Sequence, residues 1–234
     1  MTTAEDMERI VRREVRSPRS AALAGILFSL LIGASMILLR TSAVVDPTEI
    51  DGDWLKAQSS VTAVVLVLVP FAGIAFLWFT GVMRDLVGEL EDKFFATVFL
   101  GSGIILVVMM FVWASAFGAM FGTYQVLADE LNDFDIFIYG TAFANQIMGS
   151  YFLRMASVYM LSIGSLWTRT KVVPRWLTIV TYIVAVPFLL FAGALREARF
   201  LFPAWVLLVS IFILILNFRR KQEGQVDEEL TLEA

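Results

Sequence analysis

Arg154 is the residue whose type and position most clearly suggest chemistry. It stands in SYFLRMASVYM (150–160), and no other charged residue lies within ten positions on either side. A guanidinium carries a permanent positive charge and five N–H donors, and therefore recognises carboxylate and phosphate groups. The sequence thus predicts a site for an anionic group, whose position depends on the helices around it.

A polar stripe extends from Arg154 along the same stretch. At 100° per residue, an arc of about 80° contains Tyr139, Gln146, Ser150, Arg154, Ser157 and Gly164. The opposite face is mostly apolar, with Asn145 the clearest exception. Exposing such a stripe to lipid would cost several kcal/mol, so we expect it to face the helix bundle or a water-filled cavity.

The partner of Arg154 is left open by the sequence. No Asp or Glu lies within any of the apolar stretches, so no carboxylate is expected at its depth. Either backbone carbonyls, hydroxyls and waters satisfy the guanidinium, or an anionic ligand does. The first alternative is structural and the second is functional.

The composition is that of a membrane protein. Of 234 residues, 59% are hydrophobic and only 17% are charged, and the mean hydropathy is +0.78. A soluble domain of this length needs far more polar surface. Six apolar stretches are each long enough to cross about 30 Å of hydrocarbon as a helix, near 20–39, 60–83, 95–121, 136–166, 174–195 and 200–218.

The distribution of lysine and arginine predicts the orientation of these spans, because cytoplasmic loops are enriched in both. With the N-terminus inside, the outer segments hold only Arg40, Lys56, Arg196 and Arg199. The cytoplasmic segments hold Arg9, Arg12, Arg13, Arg16, Arg19, Arg84, Lys93, Arg169, Lys171, Arg175, Arg219, Arg220 and Lys221. Both termini are therefore predicted to be cytoplasmic.

The segments outside the spans are short. Residues 1–18 are predicted to form an amphipathic helix at the membrane surface, since Met7, Ile10, Val11 and Val15 share one face; a solvated tail is the alternative. Residues 19–219 are predicted to form the six-helix transmembrane domain, and 220–234 a charged cytoplasmic tail. The predicted fold is therefore an all-α, polytopic membrane helix bundle.

Most catalytic and cofactor sites are excluded by residue type. The chain has no Cys and no His, which removes thiolate chemistry and the usual ligands of zinc and haem. The acidic outer loops DPTEIDGDW (46–54) and ADELNDFD (128–135) lack the spacing of an EF-hand. We expect no cofactor and no bound metal. No catalytic constellation is found, so the sequence favours a non-enzymatic protein without excluding an enzyme.

Small residues recur every fourth position at Ala114, Gly118 and Gly122. This spacing lets a second helix approach closely, and it suits either folding or dimer formation. The expected partners are therefore the lipid bilayer, a small anionic or lipid-like ligand, and a second copy or another membrane protein. We expect no nucleic-acid partner.

Three segments resemble sequences of other bacterial membrane proteins. RTKVVPRWLTIVTY (169–182), FLWFTGVMRDLVGELEDKFFATVFLGSG (76–103) and FPAWVLLVS (202–210) are similar to segments of an uncharacterised, actinobacterial-type family of integral membrane proteins. The resemblance implies a six-helix protein of the bacterial plasma membrane. It implies no activity, because none is assigned to that family.

Two functions follow as hypotheses. The protein binds or transports a small anionic or amphiphilic solute in a polar cavity around Arg154, or it is a non-transporting accessory or scaffold protein acting through helix contacts. A water-accessible cavity at Arg154 favours the first, and a solid bundle core favours the second.

Overall fold

The computed structural model describes residues 18–42, 52–87, 93–127, 133–171, 173–194 and 196–232. Side chains are described for 19–40, 57–84, 94–123, 137–171, 173–194 and 197–217. All of the predicted N-terminal amphipathic segment (1–18) except Pro18, and most of the two acidic loops, lie outside these ranges. The all-helical fold class is confirmed for the described residues.

The helices are α1 (Pro18–Ser42), α2 (Gly52–Val87), α3 (Lys93–Leu127), α4 (Asp133–Gln146), α5 (Leu153–Thr170), α6 (Arg175–Phe191) and α7 (Leu201–Leu232). A π-helical segment, Ile147–Phe152, joins α4 to α5, and the residues that flank it are helical. These three elements therefore form one continuous column, Asp133–Thr170, which we call the α4–α5 column. A short 3₁₀ helix, Arg196–Phe200, precedes α7.

Two interruptions of the helical conformation, one before and one after it, set the length of α6. Lys171 adopts a left-handed conformation (φ 55°) and ends α5, and Pro174 then stands at the N-cap of α6. At the other end Ala192 leaves the helix (ψ 132°) and Gly193 has φ 92°, a conformation that glycine adopts readily. Because of this break, α6 ends at Phe191 and not near residue 195 as predicted.

The helices alternate in direction around the bundle. Gly25 of α1 abuts Ser210 of α7 and Phe79 of α2, while Gly118 of α3 packs on Leu66 of α2. The remaining neighbours are α3 with the α4–α5 column, α5 with α6, and α6 with α7. The start of α1 therefore lies beside the end of α2. The start of α3 and the end of α5 lie at this same end, where Arg169 stands over the ring of Phe95, and we call it the Arg169 end. The opposite end, where Arg40 meets Glu197, is the Glu197 end.

Aromatic side chains fill the middle of the bundle. Tyr159 stacks on Phe99 with ring centroids 4.4 Å apart and lies 5.2 Å from Phe76. Phe202 reaches the same cluster from α7, 5.8 Å from Phe76. We call the buried set the aromatic core: Phe28, Phe76, Phe99, Tyr159, Phe202 and Trp205. Such ring pairs each contribute about 0.5–1.5 kcal/mol beyond their buried area.

The polar atoms of the aromatic core are paired. The Tyr159 hydroxyl and Thr80 Oγ1 are 2.9 Å apart. The indole Nε1 of Trp205 donates to Thr181 Oγ1 at 2.9 Å. Since a buried Tyr or Trp needs a partner for its O–H or N–H, these bonds fix how α5 and α7 are rotated against their neighbours.

Four described helices are long and apolar enough to cross a membrane: Arg19–Arg40, Ala57–Arg84, Phe94–Thr123 and Glu197–Asn217. The segment Arg175–Phe191 is a shorter apolar helix. The predicted fourth span, 136–166, is divided by the π segment and carries the polar stripe, and it is not among the four. Beyond the predicted sixth span, α7 continues as a helix to Leu232, through most of the predicted tail.

Candidate functional site around Arg154

Arg154 lies near the middle of the α4–α5 column. At the Arg169 end, the guanidinium of Arg169 sits 5.0 Å from the ring centre of Phe95. Toward the Glu197 end, Gly140 packs on Met120. Arg154 is fifteen residues from Arg169 and fourteen from Gly140, or about 21 Å from each. An arginine side chain bridges only a fraction of that distance.

Arg154 lies on the least buried face of α5. Val158, Leu161 and Ser165, which share that face, are also partly exposed, whereas Tyr159 and Ile163 on the other side are buried. The face with Arg154 is therefore partly exposed, and the aromatic core lies on the other side of the helix. That Arg154 lines an internal polar cavity remains a prediction.

The guanidinium of Arg154 has a single hydrogen bond with the residues that the structure describes. Nη1 donates to the backbone carbonyl oxygen of Ser150 at 3.3 Å, near the long limit for such a bond. This contact turns the side chain back along the helix toward the Glu197 end. An arginine has five N–H donors, so four of them have no hydrogen-bond partner among the described residues.

The π segment changes which residues share a helix face with Arg154. A π turn holds about one residue more than an α turn, so residues before it are rotated by about 100°. A regular α-helix would place Asn145 opposite Arg154. In the structure Asn145 is turned toward the side where α6 and α7 meet, and its Oδ1 accepts a hydrogen bond from Arg199 Nη1 at 3.3 Å.

Ser150 is the predicted stripe residue that contacts Arg154, through its backbone carbonyl. It is buried, and an added Cβ at Gly193 would lie 3.0 Å from its Oγ. The turn after α6 therefore rests directly on the π segment. Glycine is needed at position 193 both for its positive φ and for this close approach.

The other predicted stripe residues lie apart from this contact. Ser157 is buried against α6, where its hydroxyl donates to the carbonyl oxygen of Ala185 at 2.8 Å. Gln146 is exposed, and Tyr139 is 75% exposed. The stripe is thus divided between a contact with α6, the contact of Ser150 with Gly193, and an exposed face.

Arg199 is the residue of this region that sequence reasoning missed. The charge distribution predicts it in an outer segment, whereas the structure places it in the 3₁₀ helix before α7, where it is only 8% exposed. The sequence carried one signal for the π segment: the Gly149–Ser150 pair inside a predicted span. Helices are often irregular at Gly/Ser pairs. Nothing local indicated that Asn145 and Arg199 would meet, because they are 54 residues apart.

The predicted helix-packing residues lie on two kinds of surface. Ala114 is buried, and a Cβ at Gly118 would be 3.0 Å from Leu66, so both serve the contact of α3 with α2. Gly122 is exposed, and a Cβ there would meet nothing within 4 Å. Among the described residues, no group of three acidic side chains is placed to hold a metal ion.

No protein-family model matches the chain, and no significantly similar curated protein or solved structure was found.

Proposed function

We propose that the protein is a multi-pass membrane protein that binds the anionic group of a small or amphiphilic molecule at Arg154. The observation that carries this proposal is the single 3.3 Å hydrogen bond of its guanidinium with the described residues, midway along the α4–α5 column. No Asp or Glu occurs between Asp135 and Glu197. A charge at this depth is costly unless it is paired.

An anionic ligand supplies what the surroundings of Arg154 lack. A phosphate or carboxylate accepts two parallel N–H bonds from one guanidinium, and such charge-assisted bonds are about twice as strong as neutral ones. The bond to Ser150 engages only Nη1. The remaining donors can then hold a ligand without releasing that contact.

The packing of the bundle supports binding over conduction. Tyr159 is fully buried in the aromatic core, between Phe76 and Phe99. A solute passing along the bundle axis would have to displace these rings. Arg154 lies on the other side of α5 from them, so a ligand can reach it without crossing the core.

We propose six crossings in a bacterial plasma membrane, with both termini in the cytoplasm. The α4–α5 column and α6 would complete the crossings made by the four longer apolar helices. The alternation of helix directions supports the even number, because α1 begins at the Arg169 end and α7 runs toward it. The basic residues Arg19, Arg84, Arg169 and Arg175 also belong to that end, as the positive-inside rule requires.

The test is mass spectrometry of the molecules that co-purify with the protein and with Arg154→Gln. Glutamine keeps two N–H donors but no charge, so we expect the variant to fold and to lose an anionic molecule that the parent retains. Arg154→Lys should also lose it, because an ammonium group cannot form the planar fork. Arg175→Gln, an equal change of charge at the exposed start of α6, is the control. An unchanged set of molecules in folded Arg154→Gln would refute the proposal.

That outcome would favour a second function, an accessory or scaffold protein. The filled aromatic core favours it, and so do glycines at which an added Cβ would touch none of the described residues. A Cβ at Gly33 or Gly122 would meet nothing within 4 Å, so another membrane helix has room to approach closely there. Crosslinking at these positions would detect such a partner.

A further inference from the structure

A second arginine, Arg199, lies near the π segment that holds Arg154. Arg199 is held in the turn between α6 and α7, where Nη1 donates to Asn145 Oδ1 at 3.3 Å. Arg154 is held by the backbone carbonyl of Ser150, within the π segment itself. Asn145 and Ser150 are five residues apart, and the turn at Gly193 rests on Ser150. The two arginines are therefore anchored to successive turns of one column.

The spacing of the anchors suits a single phosphate. Five residues of helix correspond to about 7 Å along the axis. A phosphate has several acceptor oxygens and can accept hydrogen bonds from two guanidinium groups on opposite sides. A carboxylate has only two oxygens, so its bidentate bond to one arginine leaves less for the second.

The surroundings favour a ligand that arrives through lipid. Arg154 opens on the partly exposed face of α5, away from the aromatic core. The level of Ser150 and Gly193 is also where α6 ends, and the apolar side chains of Tyr151, Leu190 and Phe191 are half or more exposed there. Acyl chains can lie on these side chains while a headgroup reaches the arginines.

We propose that Arg154 and Arg199 together bind the phosphate of a phospholipid that enters from the side of the bundle. This rests on the proposed function and narrows its ligand from any anionic molecule to an anionic phospholipid. The short α6 makes the site possible, because its early end places a cationic turn beside the middle of the α4–α5 column. In the proposed orientation the Glu197 end faces outward, so the lipid comes from the outer leaflet.

The experiment compares three probes on the purified full-length protein in neutral detergent. Phosphatidylglycerol is the test ligand, diacylglycerol has similar chains without phosphate, and inorganic phosphate has no chains. Binding is measured by native mass spectrometry and by the rise in melting temperature, since a ligand that binds only the folded state raises it. We expect phosphatidylglycerol to bind and the other two not to bind.

The variants distinguish the two arginines. Arg154→Gln and Arg199→Gln should each weaken phosphatidylglycerol binding by about tenfold or more, the loss expected for one charge-assisted pair. Arg175→Gln should bind as the parent does. Arg199→Lys keeps the charge without the fork and provides a milder change if Arg199→Gln does not fold.

The contrary outcomes separate the two proposals. Equal protection by inorganic phosphate would overturn the lipid inference and leave anion binding at Arg154 standing. If Arg199→Gln binds the lipid normally and Arg154→Gln does not, Arg199 is not part of the site. The proposal of anion binding at Arg154 would still stand. Lipid binding that is unchanged in both glutamine variants would place the lipid elsewhere. If none of the probes binds and no anionic molecule co-purifies, both proposals are wrong.

Discussion

At the scale of single residues, the buried hydroxyl groups fall into two classes. Most donate to the carbonyl four residues earlier in their own helix, as Ser35 and Ser210 do, or to a neighbouring helix, as Ser157 does. Thr62 is different: it is 2% exposed, and its Oγ1 has no hydrogen-bond partner among the described residues. The same holds for Oε1 of Gln58, one turn earlier on α2.

We expect Thr62→Val to stabilise the protein and Ser157→Ala to destabilise it. Valine has nearly the shape of threonine and removes a polar atom whose burial without a partner costs about 1–3 kcal/mol. Alanine at position 157 removes the bond to Ala185, which contributes about 1 kcal/mol. Melting temperatures in the same detergent measure both effects. A lower melting temperature for Thr62→Val would mean that a bound water satisfies Thr62 and Gln58.

At the scale of helices, close approach is concentrated at particular glycines. A Cβ at Gly25 of α1 would collide with Ser210 Oγ and would lie 2.8 Å from Cδ2 of Phe79. This glycine therefore brings α1 against both α2 and α7, the contacts that close the bundle. Gly33, two turns further along α1, has no such neighbour.

Gly25→Ala should therefore lower the stability, while Gly33→Ala should leave it unchanged or raise it slightly. Overpacking of a filled site typically costs about 1–3 kcal/mol, whereas alanine in an open helical position gains up to about 1 kcal/mol of helix propensity. The melting temperatures of the two variants, measured in the same detergent, provide the comparison. Equal stability of the two variants would contradict the close packing of α1 on α7.

At the scale of the whole molecule, the alternating helices place the start of α1 and the later part of α7 at one end. The six crossings proposed above require this arrangement, and the distribution of lysine and arginine predicts that this end is cytoplasmic. The absence of cysteine from the sequence makes the orientation directly measurable, since every introduced thiol is the only one in the chain.

We expect an impermeant thiol reagent to label Asp51→Cys and Asp133→Cys in intact cells, while Glu5→Cys and Leu230→Cys remain unlabelled until the membrane is opened. Glu5 and Asp51 lie outside the described residues, and Asp133 is the first residue of α4. Labelling of only one terminus would contradict an even number of crossings. The reverse pattern would keep the six helices and invert them.

The sequence by itself determined the helical class, the approximate helix positions and the isolation of Arg154. These are local properties, because about 20 consecutive apolar residues specify a spanning helix wherever it packs. Only the tertiary structure decided which faces are buried. Lipid tails are as apolar as leucine, so hydrophobicity does not distinguish a lipid-facing position from a core-facing one. The pairing of Asn145 with Arg199, which are 54 residues apart, likewise depends on how the helices pack and not on the local sequence.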